Sequence, residues 1–311
     1  MSLPTQFETR ASGKLLLTGE YFVLDGATAL ALPVRYGQRL EVSPTRPSGL
    51  FAWNSRDEHG NPWFSVEYEL PYLSVLETSD RSIAEMLASI IRECQRQNPS
   101  FLSGLEGLEV NTQSDFPREW GLGTSSTLIA AIAKWAGVNP YPVLASTFGG
   151  SGYDLACAYA TTPLLYRLNG DEPVIRPVSF EPDFSDRLFF VYLEKKQNSR
   201  EGIARYRERS RDIKGYLPEV SILTERILNA ETLEEFGTLL REHETLIGEA
   251  LAFQPVKNRL FPDFEGEIKS LGAWGGDFAL VTSPGKEEET RAYFASRGYN
   301  TMLRWNEMVL D

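Results

Sequence analysis

Apolar and polar residues recur along this chain with two different periods, and the periods separate strands from helices. Residues 14–18, with Leu15, Leu16 and Leu17, and residues 30–34 are short β-rich runs on either side of the turn-forming pair Asp25-Gly26. Arg39-Leu40-Glu41-Val42 alternates polar and apolar, the period of a half-buried strand. Residues 43–62 are rich in Pro, Gly, Asn and charge, and strand-like 63–70 follows at once, so 43–62 reads as the surface excursion of a decorated hairpin. From Ser82 the spacing of Ile83, Met86, Leu87, Ile90 and Ile91 predicts an amphipathic helix packed on the sheet, with Ser82 or Asp80 as its cap. A strand over 108–112 and a polar, glycine-bearing loop over 115–123 come next. Residues 125–135 are apolar on nearly all sides, which predicts a buried helix.

A second series begins after the turn signal Asn169-Gly170. It has a β-rich run at 187–193, a long charged amphipathic helical region over 200–251, a strand at 278–282 and a terminal segment at 301–309. Helices and strands alternate in both halves and no internal repeat interrupts them. The expectation is an α+β protein of two lobes, 1–175 and 176–311.

Composition narrows what such a protein can do. With 311 residues, 42% of them hydrophobic, the chain can bury a sizeable core. A formal net charge of -12 argues against binding to nucleic acid, whose affinity comes from clustered Lys and Arg, so any anionic ligand must be captured by a local site. Cys94 and Cys157 belong to no C-x-x-C pair or secretory framework, no signal layout precedes residue 10, and no uncharged apolar run is long enough to span a membrane. The expectation is a soluble cytoplasmic protein with no membrane partner. His59 and His243 both sit among charged residues, which leaves little material for a histidine zinc site or a Ser-His-Asp triad, so a metal would be held by oxygen.

Four segments can carry chemistry. Gly121-Leu122-Gly123-Thr124-Ser125-Ser126-Thr127 runs straight into the apolar helix. Its glycines let backbone approach a phosphate, the first-turn N–H groups and the helix dipole favour negative charge, and its hydroxyls can ligate Mg²⁺; a plain helix start is the other reading. It lacks the Gly-Lys-Ser/Thr of a Walker loop. In Gly149-Gly150-Ser151-Gly152-Tyr153-Asp154 a carboxylate follows a glycine-rich turn, placed either as a base for a substrate hydroxyl or as a helix cap. Lys14, beside the Leu15-Leu16-Leu17 run, is a cation in need of a partner or else a solvated strand end. Gly272-Ala273-Trp274-Gly275-Gly276-Asp277 precedes an apolar strand and permits either a tight turn or close approach to a ligand.

In this order the four resemble the signature motifs of the GHMP kinase superfamily, and the resemblance spans nearly the whole chain. Motif one resembles Gly13-Lys14-Leu15-Leu16-Leu17-Thr18-Gly19-Glu20-Tyr21, motif two Gly121–Ser126, and motif three Gly272–Asp277, with the Asp154 segment between the last two. The resemblance implies an N-terminal lobe like domain 2 of ribosomal protein S5, a ferredoxin-like C-terminal lobe, and ATP with its acceptor in the cleft between them. It implies that Gly121, Leu122, Gly123, Thr124, Ser125 and Ser126 cradle the triphosphate, with Ser125 as the Mg²⁺ ligand. Asp154 would take or orient the acceptor proton, and Lys14 would hold the charge of Asp154 and of the transferring group. Glu20, Tyr21, Ser151, Gly275 and Gly276 are the residues expected near a small anionic acceptor.

Within the superfamily, motif one and Gly-Ser-Gly-Tyr-Asp resemble mevalonate-pathway kinases. Mevalonate kinases carry a metal-binding Glu about eleven residues before the aspartate, where this chain has Val143. Gly275-Gly276-Asp277 partly matches phosphomevalonate kinases, as does the basic run containing Lys196 and Ser199, which can pair with an acceptor phosphate or carboxylate or else be a solvated helix start. The leaning is to phosphomevalonate kinase. Mevalonate kinase, a homoserine or sugar kinase, or a catalytically silent metabolite-binding relative are the alternatives, and a homodimer is left open. Trp274, where Gly is usual, raises the question of whether the nucleotide site is narrowed.

Overall fold

The computed structural model describes residues 6–103, 107–195, 199–209, 214–272, 274 and 276–310. The protein is α+β, as the periodicities require. It divides into two compact units whose segments alternate along the chain: Met1–Gly13, Tyr36–Arg118 and Gly123–Tyr159 form the first, and Lys14–Arg35, Glu119–Leu122 and Ala160–Asp311 the second.

In the first unit the strands run in the order Ser74–Thr78, Pro62–Glu69, Leu50–Arg56, Gly107–Ser114 and the later residues of Ala29–Arg46. Leu50–Arg56 pairs antiparallel with Pro62–Glu69 and parallel with Gly107–Ser114, so it is an interior strand. This corrects the reading of 43–62 as a surface excursion. Phe51, Ala52 and Trp53 are all buried, because an interior strand covered on both faces shows a continuous apolar run rather than alternation. Phe51 stacks on Tyr68 with ring centroids 5.8 Å apart. Helix Arg81–Gln97 packs its Leu87, Ile90 and Ile91 into the same core as Trp53 and Ile132. Its cap is Asp80, whose carboxylate accepts from the N–H groups of Ser82 and Ile83.

In the second unit Ala29–Ala31 pairs antiparallel with Leu164–Tyr166, and the Asn169-Gly170 signal is the turn of a hairpin between Leu164–Asn169 and Glu172–Pro177. A separate antiparallel sheet has the order Ile268–Ser270, Phe278–Thr282, Leu188–Tyr192, Met302–Arg304. The helical region expected over 200–251 is divided into Ser199–Arg209, Leu217–Leu228 and Leu233–Leu251. Pro218 starts the second of these and Thr232 caps the third by accepting from the Glu235 N–H. Tyr21, Phe22, Tyr206, Ile247 and Trp274 pack together as one apolar cluster of this unit. Among the described residues no helix is long and apolar enough to cross a membrane.

Candidate active site

The apolar helix of the first unit, Thr124–Ala136, is buried along Ile129, Ala130, Ile132 and Ala133. Its N-cap, Gly123, has left-handed backbone and no side-chain cap. The N–H groups of the first turn therefore point outward without a side-chain acceptor, the arrangement that attracts an anion. Ser125 is exposed at this turn and Thr124 partly so, while the Ser126 hydroxyl is buried and donates to the Gly123 carbonyl at 2.9 Å. Thr127 donates to Gln38 Oε1 at 3.0 Å, which fixes the turn from below. The Leu122 side chain is fully buried, so its backbone is what it can offer a phosphate.

Asp154 lies in the first turn of helix Tyr153–Tyr159, which packs against Thr124–Ala136 through Tyr159, whose phenol donates to the Ala130 carbonyl at 2.8 Å. Gly152, at φ +83°, makes the turn that starts this helix, a conformation open to glycine without strain. The Asp154 Oδ1 accepts from the Leu155 N–H at 3.1 Å, and its side chain, like that of Ser151, is partly exposed. The aspartate thus lies within the first helical turn, where its charge complements the helix dipole, with its carboxylate partly exposed. Tyr141, which no sequence signal marked, lies close enough that the Asp154 charge adds to burial in pushing its phenol up.

In the second unit Lys14 Nζ donates to the Gly121 carbonyl at 2.9 Å, and the Lys14 N–H donates to the Leu122 carbonyl at 2.9 Å. Asp277 abuts the same glycine: a β-carbon at Gly121 would run into its carboxylate. Motif one, motif two and motif three thus converge on Gly121. Asp277 is itself held by the Lys195 carbonyl, which accepts from its N–H at 2.7 Å, and by the Leu193 N–H, which donates to its carbonyl at 2.7 Å. Tyr192 donates to the Glu119 carbonyl at 3.2 Å, and Trp120 sits edge-on to Phe278 at 5.3 Å, which fixes the entry to the loop. Gly121 has φ +67°. Strain at that angle and the collision with Asp277 give Gly121→Ala an expected loss of about 1–3 kcal/mol, read as a lower urea midpoint. An unchanged midpoint would mean that the loop does not hold this conformation in solution.

Glu20 and Tyr21 do not face solvent. Glu20 is 0% exposed, and its carboxylate takes the Lys269 ammonium. Burial pushes the Glu20 carboxyl up to about 7 against the opposing pull of Lys269. Tyr21 stacks on Tyr206 at 5.9 Å, and the Tyr206 phenol donates to Asp25 at 2.6 Å. Trp274 is 6% exposed, packed on Phe253 and near Gly248, so its indole fills the core of the unit. Its φ of +52° is the reason glycine would sit there more easily. Gly276 is buried. Lys196 and Gly275, expected near the acceptor, lie outside the described residues, as does the side chain of Ser199.

The uncapped helix start of the first unit fits a nucleotide's phosphates. For Mg²⁺ it offers the exposed Ser125 hydroxyl; among the described residues no cluster of His, Cys, Asp or Glu is arranged to hold a metal, and Val143 is buried in helix Pro140–Thr147. That donor set suits an ion carried largely by phosphate and water.

No family model and no curated protein matches the sequence. Solved structures do. Mevalonate kinase of Methanococcus jannaschii aligns over 98% of this chain and 98% of its own, with TM-score 0.71 and 16% identity. Phosphomevalonate kinase of Streptococcus pneumoniae, in complex with phosphomevalonate and AMPPNP, aligns over 96% and 100%, with TM-score 0.72 and 16% identity. Galactokinase of Lactococcus lactis, complexed with galactose, aligns over 99% and 96%, with TM-score 0.67 and 12% identity. Near-complete coverage of three such enzymes, with the motif segments gathered as described, establishes that this chain has the GHMP kinase fold.

Proposed function

We propose that the protein is an ATP- and Mg²⁺-dependent kinase of the mevalonate-pathway type, with 5-phosphomevalonate its acceptor. The observation that carries this reading is the convergence of Lys14 and Asp277 on Gly121, at the entry to a helix whose first turn is uncapped. A sensor needs an anion pocket, but it has no use for a cation fixed at the loop and a carboxylate set at a helix start.

ATP with its Mg²⁺ supplies the phosphoryl group and neutralises much of its charge. The first-turn N–H groups and the Ser125 hydroxyl bind and orient the phosphates. Lys14, held by the Gly121 carbonyl, adds positive charge where negative charge develops. Asp154 accepts the proton of the acceptor hydroxyl, its orientation set by the Leu155 N–H. The preference for a phosphorylated acceptor is supported by the Gly-Ser-Gly-Tyr-Asp segment and by Val143 standing where mevalonate kinases have a metal-binding Glu. Cys94 and Cys157 are buried and form no disulfide, which fits a reducing cytoplasm.

ATP consumption with Mg²⁺ is to be measured on 5-phosphomevalonate, mevalonate, homoserine and simple sugars. Turnover is expected on 5-phosphomevalonate. Turnover on mevalonate alone would move the acceptor one step upstream, and nucleotide binding with no turnover on any acceptor would favour the sensor.

A further inference from the structure

Lysine is almost never fully buried without partners, yet Lys269 is 0% exposed, in the middle of the short strand Ile268–Ser270. Its three N–H donors are all used: they go to the Glu20 carboxylate, to Glu244 Oε1 at 3.2 Å and to the Ser270 carbonyl at 2.7 Å. Ser270 Oγ donates to Glu244 Oε2 at 2.8 Å. On the other side of Glu20, the Gly19 N–H donates to His243 Nε2 at 3.2 Å, and Glu20 Oε2 lies 3.6 Å from that nitrogen. An ionic cluster of this kind is a poor source of stability, since taking the charges out of water costs about what their attraction returns.

What it joins is more telling. Glu20 ends the segment that carries Lys14, and Lys269 begins the segment that leads through Gly272 to Asp277. Those are the two segments that meet at Gly121. We propose that Lys269 is a positioning residue: by binding Glu20, while Glu244 of helix Leu233–Leu251 holds its ammonium in place, it locks the Lys14-bearing segment to the Asp277-bearing segment, and so sets the geometry of the phosphate loop. The role in nucleotide binding rests on the kinase reading; the locking does not.

The test removes the whole cluster isosterically, as Lys269→Met, Glu20→Gln and Glu244→Gln together, because replacing all members of a buried ionic cluster usually preserves the fold whereas removing one strands its partners. Glu20→Gln alone, which leaves Lys269 with Glu244 and Ser270, is the second variant. The triple variant is expected to unfold near the wild-type urea midpoint and to bind AMPPNP about tenfold more weakly, and the single variant to unfold at a lower midpoint and to bind about threefold more weakly, since small misplacements of binding groups are costly. Wild-type affinity is expected to fall as pH drops through about 7, where Glu20 takes up its proton facing Lys269, Glu244 and His243, and to fall more steeply than that of the triple variant, since the nucleotide's own terminal phosphate takes up a proton near this pH in both. Amide exchange without nucleotide is read at Gly19, Trp274 and Asp277, whose N–H groups are bonded in the native state. These amides are expected to exchange about tenfold faster in the triple variant, because the segments open locally. Wild-type affinity and wild-type exchange in a folded triple variant would overturn the proposal. If the wild type binds no nucleotide, the kinase reading fails, and the exchange of these three amides decides the locking by itself.

Discussion

Asp154→Asn is expected to lower the rate of acceptor phosphorylation by about 10²–10⁴-fold while leaving AMPPNP affinity within about twofold of wild type, the contribution usual for a positioned general base. Asparagine keeps an oxygen for the Leu155 N–H, which donates to Asp154 at 3.1 Å, so the helix start and its packing on Thr124–Ala136 are retained. What is lost is the ability to accept a proton. The measurement is kcat with saturating ATP and 5-phosphomevalonate, together with the dissociation constant of AMPPNP. A variant that still turns over within about threefold of wild type would restrict Asp154 to complementing the dipole of its helix.

Lys14→Met should cost about 10²–10³-fold in kcat, the scale of losing one preorganised donor to developing charge. Methionine preserves most of the stem, but the Gly121 carbonyl loses the ammonium that donates to it at 2.9 Å. The loop then loses a fixed point as well as a charge, so the KM for ATP should also rise. The two effects separate on a plot of kcat against KM across Lys14→Met and Lys14→Arg. If Lys14→Met changed KM alone, the lysine would serve ground-state binding and not the transfer step.

How far the sequence reaches depends on whether a role leaves a local mark. Loops that approach a phosphate need small residues and left-handed backbone, so Gly121, Gly123 and Gly152 stand out in a bare sequence and fall where they were expected. The apolar period of 3.6 located Arg81–Gln97, and an apolar character on nearly all sides located Thr124–Ala136. Leu50–Arg56 was hidden because Pro47, Gly49, Asn54 and Asp57 surround its apolar run, and because an interior strand loses the alternation that advertises an edge. Lys269, Glu244 and His243 were illegible for a different reason. Each reads as a solvated residue in its own neighbourhood, and only the tertiary fold makes them partners of Glu20. Trp274 shows the converse: the sequence marks it as a departure from glycine, and the direction its indole takes is set by packing partners at Phe253 and Gly248, outside its own motif.

The alternation of segments between the two units bears on how the chain is made. Residues 36–118 and 123–159 of the first unit leave the ribosome nearly in succession, so most of that unit's core is complete while synthesis continues. Lys14–Arg35 emerges before them, yet several of its partners come after them: Ala29–Ala31 pairs with Leu164–Tyr166, Gly19 with His243, Glu20 with Lys269, and Val34 with Val309. The early segment, with the buried residues Leu17, Phe22 and Val23, therefore lacks its later neighbours His243, Lys269 and Val309 until long after it has emerged. Apolar surface exposed over such an interval is what a chaperone covers.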